Sequence, residues 1–256
     1  MALHAAASVL VPGGTLLLYG ANDEGIRAAL GPLGDLCPGA ETIAVGGRCR
    51  VLKGVRGPEV PGLRGELEDW RHPLSLDHPD LPAGWISYPG IFAHGRVDQG
   101  TRLLLDVLPG LPAGARVLDY GCGSGVVSYV VGKRREAADL HMLDVDSVAL
   151  AAARENVPEA TAHLHDGLPG VTGGRFDAII SNPPFHRGKA EDPGMIVSLI
   201  QGAPALLRPK GLLLFVAQRR LSLKGTLIRH FKEVTMVAED SIFRVWEVRR
   251  PKTEVR

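Results

Sequence analysis

The stretch Val117-Leu118-Asp119-Tyr120-Gly121-Cys122-Gly123-Ser124-Gly125 decides the fold. Its first four residues read as a buried strand, and the alternate glycines read as a turn that opens a helix. Glycine removes the Cβ that would keep the backbone away from a ligand. Dinucleotide-binding proteins carry a G-x-G-x-x-G turn in a similar place. Here an acid, Asp119, stands two residues before the first glycine, and the loop offers no cradle for a diphosphate.

On the carboxyl side of this turn, β-type runs at 116–120, 140–144, 161–165, 176–181 and 211–217 alternate with helical stretches at 124–133, 147–156 and 192–207. A further helix is expected over 221–231. Runs at 233–238 and 242–249 leave no room for a helix between them and read as a hairpin. The pattern predicts an α/β, Rossmann-like, seven-stranded sheet, mostly parallel with an antiparallel last strand. Two acids fall at the ends of successive strands. Asp144 is placed to accept hydrogen bonds from the two hydroxyls of a ribose, and Asp166 to face an adenine amino group. Strand ends often carry solvated Asp, so the weight lies in the acids recurring after a glycine turn.

The fourth strand, 176–181, delivers Asn182-Pro183-Pro184-Phe185-His186 to the carboxyl edge of the sheet, where ligands of open α/β folds bind. An exocyclic amine is a poor nucleophile because its lone pair is delocalised into the ring. The Asn182 side-chain oxygen and the Pro183 carbonyl can each accept one amine hydrogen, which turns the lone pair toward a methyl donor. The prolines stiffen the backbone, and Phe185 is expected to stack on a flat substrate, worth roughly 1 to 3 kcal/mol per base. Catalysis then rests on proximity and orientation for in-line displacement at a sulfonium methyl, with no metal and no covalent intermediate. Cys122 sits inside the glycine turn and is read as structural. His94 and His186 are neighbours of the site with no assigned role.

These residues resemble the class I S-adenosylmethionine methyltransferases. Within them the chain is most similar to the bacterial ribosomal RNA guanine-N2 methyltransferases of the small-subunit (16S) C type and their large-subunit relatives. The likeness rests on Ser181-Asn-Pro-Pro-Phe-His, on Gly174-Arg-Phe-Asp-Ala-Ile-Ile before it, and on Tyr88-Pro-Gly-Ile-Phe-Ala-His-Gly-Arg-Val-Asp-Gln-Gly-Thr-Arg upstream. The resemblance implies S-adenosyl-L-methionine as cofactor, held by Asp119, Gly121, Gly123, Asp144, Asp166 and Asn182. It also implies that the Pro-Gly-x-Phe segment closes over the methionine end, with Phe92, Asp98 and Thr101 in contact. Asn182, Pro183 and Phe185 are the implied catalytic set. Ribosomal RNA or the small subunit is the implied partner. The alternatives are another amine (protein glutamine, adenine or a small metabolite) and a non-catalytic RNA-binding assembly protein that keeps the fold.

Residues 1–84 are expected to form a truncated, degenerate methyltransferase-like module and linker, and 85–256 the catalytic domain. Leu10-Val-Pro-Gly-Gly-Thr-Leu-Leu-Leu lines up with Leu207-Arg-Pro-Lys-Gly-Leu-Leu-Leu-Phe. Either two helix-to-strand turns are alike by chance, or the N-terminal α/β segment is the tail of a duplicated module. Such a tail lacks the glycine loop and cannot bind a nucleotide alone.

Net charge is +1, yet residues 208–256 hold twelve Lys and Arg against five Asp and Glu. Arg219 and Arg220 in that segment are the candidate phosphate contacts, the plainer reading being a solvated basic rim. A mean hydropathy of +0.07 and 45% apolar residues fit an ordinary globular chain. No apolar run reaches the roughly 20 residues of a membrane span, and no secretory leader is recognisable. A cytoplasmic location without membrane or metal is therefore expected. Cys37, Cys49 and Cys122 lack metal-ligand spacing and are expected as free thiols.

Overall fold

The computed structural model describes residues 1–252 apart from 184, 185, 188, 189, 192 and 193; for 186, 187, 190 and 191 it describes the backbone alone. The chain divides into two units, Met1–Arg71 and His72–Arg256.

The first unit runs α1 (Ala2–Ser8), β1 (Thr15–Ala21), α2 (Leu30–Leu36), β2 (Glu41–Gly46) and β3 (Cys49–Val55). β3 lies antiparallel between β1 and β2. Leu33, Leu36, Cys37 and Leu52 are buried in its core.

The second unit opens with a two-stranded ladder, β4 (His72–Ser75) and β5 (Ala83–Ser87), followed by α3 (Gln99–Asp106). Then come β6 (Arg116–Tyr120), α4 (Val126–Arg134), β7 (Asp139–Asp144), α5 (Ser147–Asn156), β8 (Thr161–Leu164) and β9 (Phe176–Ser181). A short antiparallel pair, β10 (His186–Arg187) and β11 (Ala190–Glu191), precedes α6 (Gly194–Leu206), β12 (Leu207–Gln218), α7 (Lys224–His230), β13 (Phe231–Glu239) and β14 (Phe243–Pro251). The main sheet has the order β13-β14-β12-β9-β6-β7-β8. β12, β9, β6, β7 and β8 are parallel, and the last strand, β14, is antiparallel to both its neighbours. The expected seven-stranded architecture is present.

Both faces of β12, β9, β6 and β7 are covered, which is why they read as apolar runs rather than alternating ones, whereas the edge strand β8 is partly exposed. Leu118, Ile179, Leu213 and Phe215 pack against α6 and α7. Val117, Met142, Ile180 and Leu214 pack against α3, α4 and α5. Each such side chain contributes about 1.5 to 3 kcal/mol on leaving water.

Several boundaries differ from the sequence expectation, and three of the differences have a visible cause. α4 starts at Val126 rather than 124, because Gly125 has φ 89°, outside the helical region. α7 starts at Lys224 rather than 221; the preceding residues form a turn closed by Leu221 N–H donating to Gln218 O. β12 starts at Leu207, paired to Phe176, and bulges before Leu212 resumes pairing with Ala178. Pro209 lies in that bulge and has no N–H to give to a ladder.

The first unit repeats the topology of the C-terminal elements of the second. The order α1-β1-α2-β2-β3 matches α6-β12-α7-β13-β14, and in each the last strand lies antiparallel between the other two. Even the irregularities correspond. β2 bulges between Thr42 and Ala44, and β13 between Met236 and Ala238. Among the described residues no helix is long and apolar enough to cross a membrane.

Candidate active site

The chain leaves β6 for β7 and β8 on one side and later returns as β9 on the other, so the order of the sheet reverses between β6 and β9. A crevice opens at such a point, outside the carboxyl ends of the strands. Tyr120 and Ser181 face each other at the ends of these two strands, and Ser181 Oγ donates to Tyr120 O at 2.7 Å. Gly121 and Asn182 are the next residues on each side.

The glycine turn is tied to β7 at three points. Gly121 N–H and Cys122 N–H both donate to Leu143 O, and Gly123 N–H donates to Asp144 Oδ2 at 2.8 Å. Gly123 has φ 55°, and a Cβ there would meet nothing within 4 Å, so the backbone itself borders open space. Asp144 Oδ1 accepts from Asp146 N–H at 2.9 Å. Each oxygen of Asp144 therefore keeps a lone pair for a ligand.

Asp119 is almost fully buried, and its Oδ2 accepts both the N–H and the hydroxyl of Ser128 in the first turns of α4. Burial pushes its carboxyl up to about 7 against the opposing pull of the Ser128 bonds, with Asp144 adding repulsion. Burial also lifts the Cys122 thiol well above its ordinary value, which suits a packing role rather than a thiolate.

Asn182 is held by the segment upstream of β6. Its Nδ2 donates to Asp98 Oδ2 at 3.0 Å and to Thr101 Oγ1 at 2.9 Å. Asp98 caps α3, accepting from Gly100 N–H and Thr101 N–H.

A cavity of about 450 Å³ fills the crevice. Of the residues singled out from sequence, it is lined by Phe92, Asp98, Gly121, Gly123, Asp144, Asp166, Asn182 and Pro183. Asp119 and Thr101 line a smaller adjoining hollow of about 50 Å³, which shares Phe92, Asp98, Gly121, Gly123 and Asn182 with the larger one. Phe92 and Val145 are 67% and 62% exposed at the cavity, apolar surface that a bound ligand would cover. Phe185 lies outside the described residues, as do Pro184 and the His186 side chain. Arg219 and Arg220 directly follow the cavity residue Gln218 and are exposed, but neither lines the cavity. Arg219 pairs with Glu239 at 3.7 Å, and Arg220 Nε donates to Gln218 Oε1 at 2.6 Å. His94 is engaged away from the cavity, with Nδ1 2.8 Å from Ser87 Oγ.

Sequence reasoning missed several lining residues. Tyr120, Leu143 and Val145 flank the motifs and are legible as strand ends. Gln218 and Phe243 are cross-strand partners of β12 and β14 at the same sheet edge, which only the pairing reveals. His165 also lines the cavity; a Cβ on Gly170 would fall 1.8 Å from its Cγ, so the ring takes the space glycine leaves. Among the described residues no cluster of His, Cys, Asp or Glu could hold a metal ion.

The model of the methyltransferase small domain matches residues 84–247. The chain is 33% identical over 252 residues to the ribosomal RNA small subunit methyltransferase C of Shewanella loihica, covering 97% of this chain and 72% of that protein. It is 36% identical over 256 residues to that of Chromohalobacter salexigens, covering 96% and 72%. Among solved structures, the T. thermophilus 16S rRNA N2 G1207 methyltransferase in complex with AdoMet and guanosine superposes with a TM-score of 0.84 at 26% identity, covering 97% of this chain and 68% of that one.

Proposed function

The chain belongs to the small-domain methyltransferase family, and on that premise we propose that it transfers the methyl group of S-adenosylmethionine to the exocyclic N2 amine of a guanine in small-subunit ribosomal RNA. One observation carries this reading. Asn182 and Pro183 line the same cavity as Gly123, Asp144 and Asp166, so an amine-binding end and a nucleoside-binding end share one space. The donor set fits the cofactor. Asp144 and Asp166 offer carboxylate acceptors for its ribose and adenine, and the glycine turn lets backbone come close. The hollow lined by Asp119, Thr101 and Phe92 suits the methionine end.

When bound, S-adenosylmethionine supplies an electrophilic sulfonium methyl group. The chain's own contribution is placement. Asn182 Oδ1 and the Pro183 carbonyl accept the two amine hydrogens and aim the nitrogen lone pair at the donor, and Phe185 stacks on the guanine. Methylation leaves a cationic nitrogen that gives its extra proton to water. Arg219 and Arg220 hold phosphates near the mouth, while a guanine turned out of its stack enters the cavity. The chemistry is assigned to the unit His72–Arg256, whose residues line both hollows. Ribosomal RNA as substrate puts the reaction in the cytoplasm.

The direct test supplies purified protein with methyl-labelled S-adenosylmethionine and unmodified 16S rRNA or small subunits, then identifies the labelled nucleoside by mass spectrometry. N2-methylguanosine is expected. Label in another nucleoside, or none, would refute the proposal.

A further inference from the structure

Asn182 has an amide whose two ends differ in kind, one a donor and one an acceptor, and only the acceptor suits an incoming amine. Nothing in a lone Asn side chain decides which end faces the substrate, since the two orientations fill the same volume. In this structure the choice is made by neighbours 81 and 84 positions earlier in the chain. Asp98 Oδ2 takes one Nδ2 hydrogen at 3.0 Å and Thr101 Oγ1 takes the other at 2.9 Å. A carboxylate oxygen has no hydrogen to give, so rotating the amide by half a turn would set Asn182 Oδ1 against Asp98 Oδ2. Among the described residues no donor reaches Asn182 Oδ1, and Asn182 lines the cavity. Asp98 is itself fixed, because the same Oδ2 accepts Gly100 N–H at 2.9 Å and Thr101 N–H at 3.3 Å. Gly100 leaves the room for this arrangement: a Cβ there would lie 3.0 Å from Asp98 Oδ2 and 3.5 Å from Asn182 Oδ1.

We infer that Asp98 and Thr101 are positioning residues that lock the Asn182 amide with its oxygen toward the substrate amine, so that the start of α3 sets the polarity of the catalytic end of the cavity. This rests on the reading above in which Asn182 Oδ1 accepts an amine hydrogen. It departs from the sequence expectation, in which Asp98 and Thr101 served only the cofactor.

The test removes the acceptors without removing the helix cap. In Asp98→Asn the oxygen that caps α3 is the same one that faces Asn182 Nδ2, so cap and lock are both kept and kcat is expected within about threefold of the parent. In Asp98→Ser the hydroxyl still caps α3, at which Ser and Asp are equally good, but it sits one bond short of Asn182. Thr101→Val removes the other acceptor and leaves the backbone N–H in place. Asp98→Ser with Thr101→Val frees the Asn182 amide to turn, and kcat is expected to fall by about tenfold or more, with a smaller change in S-adenosylmethionine affinity by calorimetry. Parent-level kcat in that double variant alongside an inactive Asn182→Ala overturns this inference and leaves the proposed function standing, as does an Asp98→Asn as impaired as the double variant. Full activity in Asn182→Ala overturns both.

Discussion

Gly123 N–H donates to Asp144 Oδ2 across 2.8 Å, joining the glycine turn after β6 to the end of β7. The carboxylate thus shapes the cavity as well as bordering it. Asp144→Ala removes an acceptor for the ligand and frees the turn together. S-adenosylmethionine affinity is expected to fall by at least about 100-fold, two lost charge-assisted bonds of roughly 1.5 to 3 kcal/mol each. Calorimetry checks it.

Asp119 makes the protein pH-sensitive in a stated direction. Its carboxyl titrates near 7 in the fold, far above the ordinary value of 3.8, because burial penalises the charged form. A carboxyl raised in this way favours folding at low pH, and the benefit is lost as pH climbs from about 4 to about 7. The loss is on the order of 4 kcal/mol at full ionisation. Denaturant unfolding at pH 5 and pH 8 is expected to show a smaller difference in Asp119→Asn than in the parent. If the carboxylate faces the cationic end of the cofactor, affinity also rises with pH through 7 in the parent and not in the variant.

Gly125 is required by backbone and by packing. Its φ is 89°, and a Cβ would sit 3.1 Å from Val157 Cγ2 and 3.4 Å from the Ala153 Cα of α5. Gly125→Ala is expected to cost about 1 to 3 kcal/mol, read as a lower denaturant midpoint with an unchanged slope.

Arg219 and Arg220 stand in the exposed segment after β12. If they hold phosphates, Arg219→Ala with Arg220→Ala weakens RNA binding and lowers the slope of log affinity against log salt by about 1 to 2. S-adenosylmethionine binding stays at the parent level. An unchanged slope would remove both arginines from the RNA surface.

The order of elements was legible because both faces of the central parallel strands are buried, and Phe176–Ser181 and Ser147–Asn156 have the bounds the pattern implies. The motifs at strand ends led to the cavity for the same reason: topology puts every carboxyl end of the parallel strands at one edge. Side-chain geometry was not legible. Nothing local in Asp98-Gln-Gly-Thr101 announces a bond to Asn182, and Phe243 joins the cavity only through pairing with Gln218. The N-terminal likeness was visible as one turn and strand. Its extent, down to matching bulges in β2 and β13, needed the sheet registers.

The central claim is methyl transfer to guanine N2 of ribosomal RNA at Asn182. Nucleoside mass spectrometry of small-subunit rRNA tests it most directly, comparing cells that carry the gene, lack it, or carry it with Asn182→Ala. The account predicts that N2-methylguanosine drops by one residue per small subunit without the gene and that Asn182→Ala fails to restore it. Unchanged N2-methylguanosine without the gene, or full restoration by Asn182→Ala, would contradict it.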